Sequence, residues 1–220
     1  MGNRSHKMSF KEDEFMLFNY NEVLKIYKND YQINKALSKH KIYKVEKGIY
    51  SNNHSFNKYE VLIKKYPNAV LVGPTALYLK GYLSKEPSSI YLATKRNALR
   101  ISDKRVKQEF YLKLEHYAKE YFDAIKTEND RFLPTFKDEI LLVDLLRKKD
   151  NYTTEDFNEA FNNFKQKSQF LNIWAIENEL LEYNKLEANY EYLRQLDSGK
   201  RNNSESLYDL EKILEELYKF

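Results

Sequence analysis

The sequence predicts an α+β fold that is mainly helical, with an N-terminal winged helix-turn-helix followed by a larger, mixed, helix-rich C-terminal domain. Glycine occurs 5 times and proline 4 times in 220 residues, too few for a sheet-dominated chain with many tight turns. Apolar residues recur at helical spacing along most of the length,. Between residues 20 and 51, two short polar-capped helical segments precede a small hairpin, an order that can present a helix to the major groove of DNA,.

The elements follow in order. Residues 1–8 carry a second Met at Met8 and read as a tag segment outside the fold. Residues 10–18 read as a first helix, with Glu12 and Asp13 on its wet face. Asn19 or Asn21 caps a second helix running through Ile26, and Lys28-Asn29 breaks it,. Asp30 caps a third helix over residues 31–40, where Ile33, Ala36 and Leu37 form one apolar stripe,. Ile42-Tyr43-Lys44-Val45 and Ile49-Tyr50-Ser51 then flank a turn in which Gly48 supplies a positive φ,. This first domain covers residues 9–55, extending at most to about 84,. Residues 56–220 form the second domain, ending in a helical tail over 185–220. Within it the pattern gives helices over 57–66, 75–81, 138–148, 154–167 and 206–218, and one long helix over 173–196,. A strand is expected over 89–94, and Trp174 reads as a core anchor,.

Composition bounds the function. There is no cysteine, so no disulfide or thiolate metal site, which fits a reducing cytosol,. The four histidines show no metal-ligand spacing,. No apolar run approaches a membrane span or a secretory leader,. Charge is unevenly distributed. Residues 22–48 hold seven lysines against three acids, whereas residues 177–220 hold eleven acids against six bases. The basic end suits a partner made of phosphate.

The candidate DNA contacts are Tyr31, Gln32, Lys35, Ser38 and Lys39 on the third helix, with Lys44 and Lys47 on the hairpin. Gln pairs bidentately with adenine, and Lys reaches guanine or phosphate. Tyr31 can meet backbone or a thymine methyl, and Lys44 and Lys47 add salt-dependent phosphate contacts,. A second basic run, Lys95, Arg96, Arg100, Lys104 and Arg105, reads either as a further nucleic-acid or acidic-partner surface or as a solvated loop.

Chemistry is harder to find. The turn Val72-Gly73-Pro74-Thr75 precedes a strand, as in nucleotidyl transferases, but Ile90-Tyr91-Leu92-Ala93-Thr94 carries no carboxylate to hold a metal,. No nucleophile elbow and no phosphate-cradling glycine loop occur,. The expectation is a non-enzyme with no cofactor and no metal.

Four segments in this order resemble the AbiEi family of antitoxins from type IV (abortive infection) toxin–antitoxin systems. They are Ile42-Tyr43-Lys44-Val45-Glu46-Lys47-Gly48-Ile49-Tyr50, the stretch 67–77 around Val72-Gly73-Pro74-Thr75, the stretch 85–94, and Asp138-Glu139-Ile140-Leu141-Leu142-Val143-Asp144-Leu145-Leu146-Arg147. The resemblance covers roughly residues 10–183,. It implies a cytoplasmic bacterial protein with two activities. The N-terminal domain would bind double-stranded operator DNA at inverted repeats and repress its own operon. The C-terminal domain would counteract a nucleotidyltransferase toxin without a stable toxin complex. It involves no membrane, and two monomers could pair only on the DNA. The alternative is a winged-helix transcriptional regulator whose C-terminal domain senses a ligand or dimerises.

Overall fold

The computed structural model describes residues 16–111, 122–183 and 185–198, and the chain divides into two compact units. The first contains Met1–Ala69 with Lys126–Leu133, and the second contains Val70–Ile125 with Pro134–Phe220.

In the first unit, β1 (Leu17–Asn19) leads directly into α1 (Tyr20–Tyr27). Asn19 closes a capping box. Its side chain accepts from the Glu22 backbone N–H at 3.0 Å, and the Glu22 carboxylate accepts from the Asn19 N–H at 2.7 Å,. Lys28, at φ 71°, ends the helix. The next helix, α2 (Asp30–Ser38), is capped by Asn29 rather than Asp30. Asn29 has the extended backbone a cap needs and accepts from Gln32 N–H at 3.0 Å,. Asp30 already lies in the first turn, where its charge complements the helix dipole,. The strands β2 (Tyr43–Glu46) and β3 (Ile49–Ser51) join β1 in an antiparallel sheet of order β1-β3-β2. Val23, Ile33, Ala36, Ile42, Phe18 and Tyr50 form one core cluster. A further helix, α3 (Lys58–Lys65), packs its Val61 with Leu17 and Ile49.

The winged helix-turn-helix expected here is not clearly formed. The helix expected over residues 10–18 fails at its end, because Leu17–Asn19 is a strand paired with β3. Leu17 and Phe18 are both buried, which uses both faces of an extended chain rather than one helical stripe,. Residues 10–15 lie outside the described residues, as do residues 1–8. The hairpin is not a free appendage either. Its second strand is the centre of the three-stranded sheet, and Ile49, Tyr50 and Ser51 are all buried. The described part of this unit is therefore a mixed arrangement of three short helices and a small sheet.

The second unit is built on a five-stranded sheet of order β6-β5-β4-β8-β7. Its strands are β4 (Val70–Leu71), β5 (Ile90–Lys95), β6 (Val106–Tyr111), β7 (Phe122–Lys126) and β8 (Phe132–Phe136). β4 runs antiparallel to β5 and parallel to β8, while β5 and β6 are parallel. Residues 96–105 make that parallel return without a helix. An extended chain of this length reaches about 33 Å, enough to retrace a six-residue strand. The helix α4 (Gly73–Leu79) follows β4, and α5 (Asp138–Arg147) follows β8. All seven residues from Ile140 to Leu146 are buried in α5, as its near-continuous apolar run requires. Next come α6 (Thr154–Gln166), α7 (Ile173–Glu182) and α8 (Leu186–Ser198), which complete the main core with Phe157, Phe161, Phe164, Ile176, Leu180 and Leu193.

The single helix expected over residues 173–196 is two helices, α7 and α8. The break follows Tyr183, where both its own N–H and that of Lys185 turn back to the Leu180 carbonyl. Trp174 is 62% exposed and anchors no core. The helix expected over residues 206–218 lies outside the described residues. Among the described residues, no helix is long and apolar enough to cross a membrane.

Candidate functional site

The α2 face is built by its own period. Ile33 and Ala36 turn into the core and Leu37 is half-buried, which leaves Tyr31, Gln32, Lys35, Ser38 and Lys39 exposed,. Tyr31 is 70% exposed, unusual for a tyrosine with no packing role,. The Ser38 hydroxyl donates to the Lys35 carbonyl at 3.0 Å, so it is partly committed to its own helix. Lys44 is exposed on β2 opposite Tyr50, and Lys47 is exposed in the turn that Gly48 closes at φ 80°. His40, Tyr43 and His54 form a run of ring contacts just beyond α2.

The electrostatics sharpen this surface. Among the described residues Lys35, Lys39, Lys44 and Lys47 make no ion pair, and all are exposed. The acids that could neutralise them are held elsewhere. Glu22 pairs with Lys64 at 2.7 Å, and Glu46 pairs with Lys65 at 3.4 Å, both lysines on α3. Asp30 accepts from the Tyr20 hydroxyl at 2.7 Å, which holds that phenol above its ordinary pKa. A surface so arranged keeps its positive charge available to an external anion.

The second basic run lies in the other unit, on residues 95–105 between β5 and β6. Lys95, Arg96, Arg100, Lys104 and Arg105 are all exposed. Asp103 grips Arg105 with both oxygens, at 2.9 and 2.6 Å, so this arginine is already engaged.

Sequence reasoning missed a third group, in the second unit. Lys148, just past α5, gives its three N–H donors to Asp144 (2.9 Å), the Tyr111 hydroxyl (2.7 Å) and Glu109,. The Tyr111 hydroxyl lies 2.7 Å from Asp144 and 3.2 Å from Glu109. Burial, with those two carboxylates beside it, pushes the Tyr111 phenol far above its ordinary pKa, and burial does the same to Tyr152. Arg147 lies with its guanidinium 3.4 Å from the centre of the Tyr183 ring, and 3.6 Å from the buried Asp144 Oδ1. These residues are 33 to 39 positions apart across β6 and α5. The one local signal is an aspartate, Asp144, inside an otherwise apolar helix, four residues before Lys148.

The Gly-Pro-Thr turn is tied into the sheet. The Thr75 hydroxyl accepts from the Tyr91 N–H at 2.9 Å, and a Cβ on Gly73 would meet Tyr152 and Tyr91 at 3.7 Å. Among the described residues no group of three or more His, Asp or Glu is placed to hold a metal ion. No protein-family model matches the chain, and no curated protein matches it significantly.

Proposed function

We propose that this chain is a DNA-binding antitoxin that represses its own operon. The observation that carries the DNA half is the α2 face, where Gln32, Lys35 and Lys39 stand exposed beside Lys44 and Lys47 of the hairpin, with none of these lysines ion-paired among the described residues. On this reading Gln32 and Lys35 reach base edges, while Lys39, Lys44 and Lys47 take phosphates. Two chains on an inverted repeat would each present this face, pairing on the DNA. The reading depends on the exposed helix and its charge, not on a wing.

The antitoxin half rests on the order of the four resembling segments. They fall on the β2–β3 hairpin, on β4 with α4, on β5, and on α5. The chain would then counteract a nucleotidyltransferase toxin in the bacterial cytoplasm without a stable complex, and we assign it no catalytic step. Coexpression with a nucleotidyltransferase toxin of such a system, taken from the same operon, tests this half. Growth is restored and the two proteins elute separately. Continued growth arrest at equal expression contradicts the assignment. The DNA half is tested by the Lys35→Ala and Lys39→Ala variants, each of which weakens binding to the promoter duplex, measured by fluorescence anisotropy at fixed salt. Unchanged affinity in both contradicts it.

A further inference from the structure

Between the edge strand β6 and the end of α5, the second unit opens a cleft of about 440 Å³. It is lined by Glu109, Phe110, Tyr111, Arg147, Lys148, Asn151 and Tyr183. That volume lies within the range of small-ligand sites. Neither the operator reading nor the resemblance uses it.

The two cations of the cleft differ sharply. Lys148 is saturated by Glu109, Asp144 and Tyr111 and has no donor left for a ligand,. Arg147 is the reverse. Its side chain is only 23% exposed, yet it makes no hydrogen bond among the described residues. Its nearest acid oxygen, Asp144 Oδ1, is 3.6 Å away, beyond hydrogen-bond distance, and that oxygen is itself buried with no hydrogen-bond partner,. A largely shielded guanidinium whose N–H donors are committed to no protein hydrogen-bond acceptor among the described residues favours an anionic acceptor from outside,. Its plane is held over the Tyr183 ring, so the fork is oriented before any ligand binds,.

The other lining groups suit the rest of such a ligand. Phe110 lines the cleft and is 43% exposed, so its ring is within reach of a stacking partner,. Asn151 is exposed there and can both donate to and accept from a base edge,. The balance of charge also selects. Glu109 and Asp144 offset Lys148 and Arg147, so the cleft offers one oriented fork rather than a strongly positive basin. One fork suits one phosphate better than three.

We infer that this cleft binds a nucleoside monophosphate, with its phosphate on Arg147 and its base against Phe110. This stands independently of the DNA-binding reading.

Isothermal titration of the full chain with AMP, GMP, CMP and UMP tests it, alongside the four parent nucleosides, inorganic phosphate and ATP. At least one monophosphate binds saturably with a Kd below about 1 mM. Its parent nucleoside and inorganic phosphate each bind about tenfold more weakly or not at all. Arg147→Gln weakens binding about tenfold or more, and Arg147→Lys, which keeps the charge but loses the fork, rescues it only in part. Phe110→Ala, at an exposed position that should not disturb folding, weakens binding about fivefold. Absence of saturable binding by all four monophosphates overturns the proposal. So does inorganic phosphate or ATP binding as tightly as the best monophosphate, or undiminished affinity in folded Phe110→Ala. Duplex DNA affinity, measured on the same preparations, remains a separate readout.

Discussion

Glu22 shows how one side chain links helix start, charge and stability. Partial burial raises its pKa, but the hydrogen bond from Lys64 and the Asn19 backbone N–H outweigh that, and the net pKa is below the ordinary carboxylate value. A carboxyl whose folded pKa is depressed stabilises the fold above its unfolded pKa of about 4.3 and loses that contribution as pH falls through the folded value. Melting temperature followed downward from about pH 5 should therefore drop less steeply in Glu22→Gln than in the parent chain. A parallel slope contradicts the pairing. Lysines divide in the same way by what they touch. Lys148 bridges two carboxylates, one of them on the buried Asp144, so Lys148→Ala should cost about 3–5 kcal/mol in a denaturant melt, since it strands those charges,. Lys35 is exposed and unpaired, so Lys35→Ala should stay within about 0.5 kcal/mol while weakening DNA binding,. That contrast separates a stabilising lysine from a recognition lysine.

Helix caps and turns were the most legible elements, because they depend on neighbours in sequence. Asn19, one of the two caps expected for α1, the Lys28-Asn29 break and Gly48 act where local chemistry placed them, whereas the cap expected of Asp30 falls one residue earlier, on Asn29. Gly48 holds φ 80° with nothing within 4 Å of where a Cβ would sit, so Gly48→Ala would meet only backbone strain. Its expected cost is about 1–2 kcal/mol by chemical melting. A neutral result contradicts the turn geometry. Elements that depend on distant partners were less legible. Leu17–Asn19 is too short for a strand signal, and β8 contains Pro134, which argues against a strand except at special positions,. Periodicity ran through Tyr183 because apolar residues continue on both sides of the break, so α7 and α8 read as one helix. Trp174 misled because size favours burial on average, whereas its position on α7 faces outward,. The α2 face was readable from a single stripe, Ile33 and Ala36 with Leu37. The Glu109–Tyr111–Asp144–Lys148 group was not, since only the packing of β6 with α5 assembles it.

The α2 lysines and the Lys148 group lie in different units. The first unit carries the exposed lysines of α2 and the hairpin, and directs its acids to α3. The second unit carries the Lys148 group and the Arg147 cleft. DNA affinity and ligand affinity are therefore expected to respond to different substitutions. DNA binding through α2 is the central claim, and its signature is the release of counterions. The decisive measurement is the affinity of the full chain for a duplex of the promoter region upstream of its own gene, taken from about 50 to 200 mM salt, for the parent and for the Lys35→Ala/Lys39→Ala double variant. The account predicts weaker binding by the variant and a log–log salt slope shallower by about 1, for the one contact to phosphate lost with Lys39. Equal affinity and an unchanged slope would contradict it.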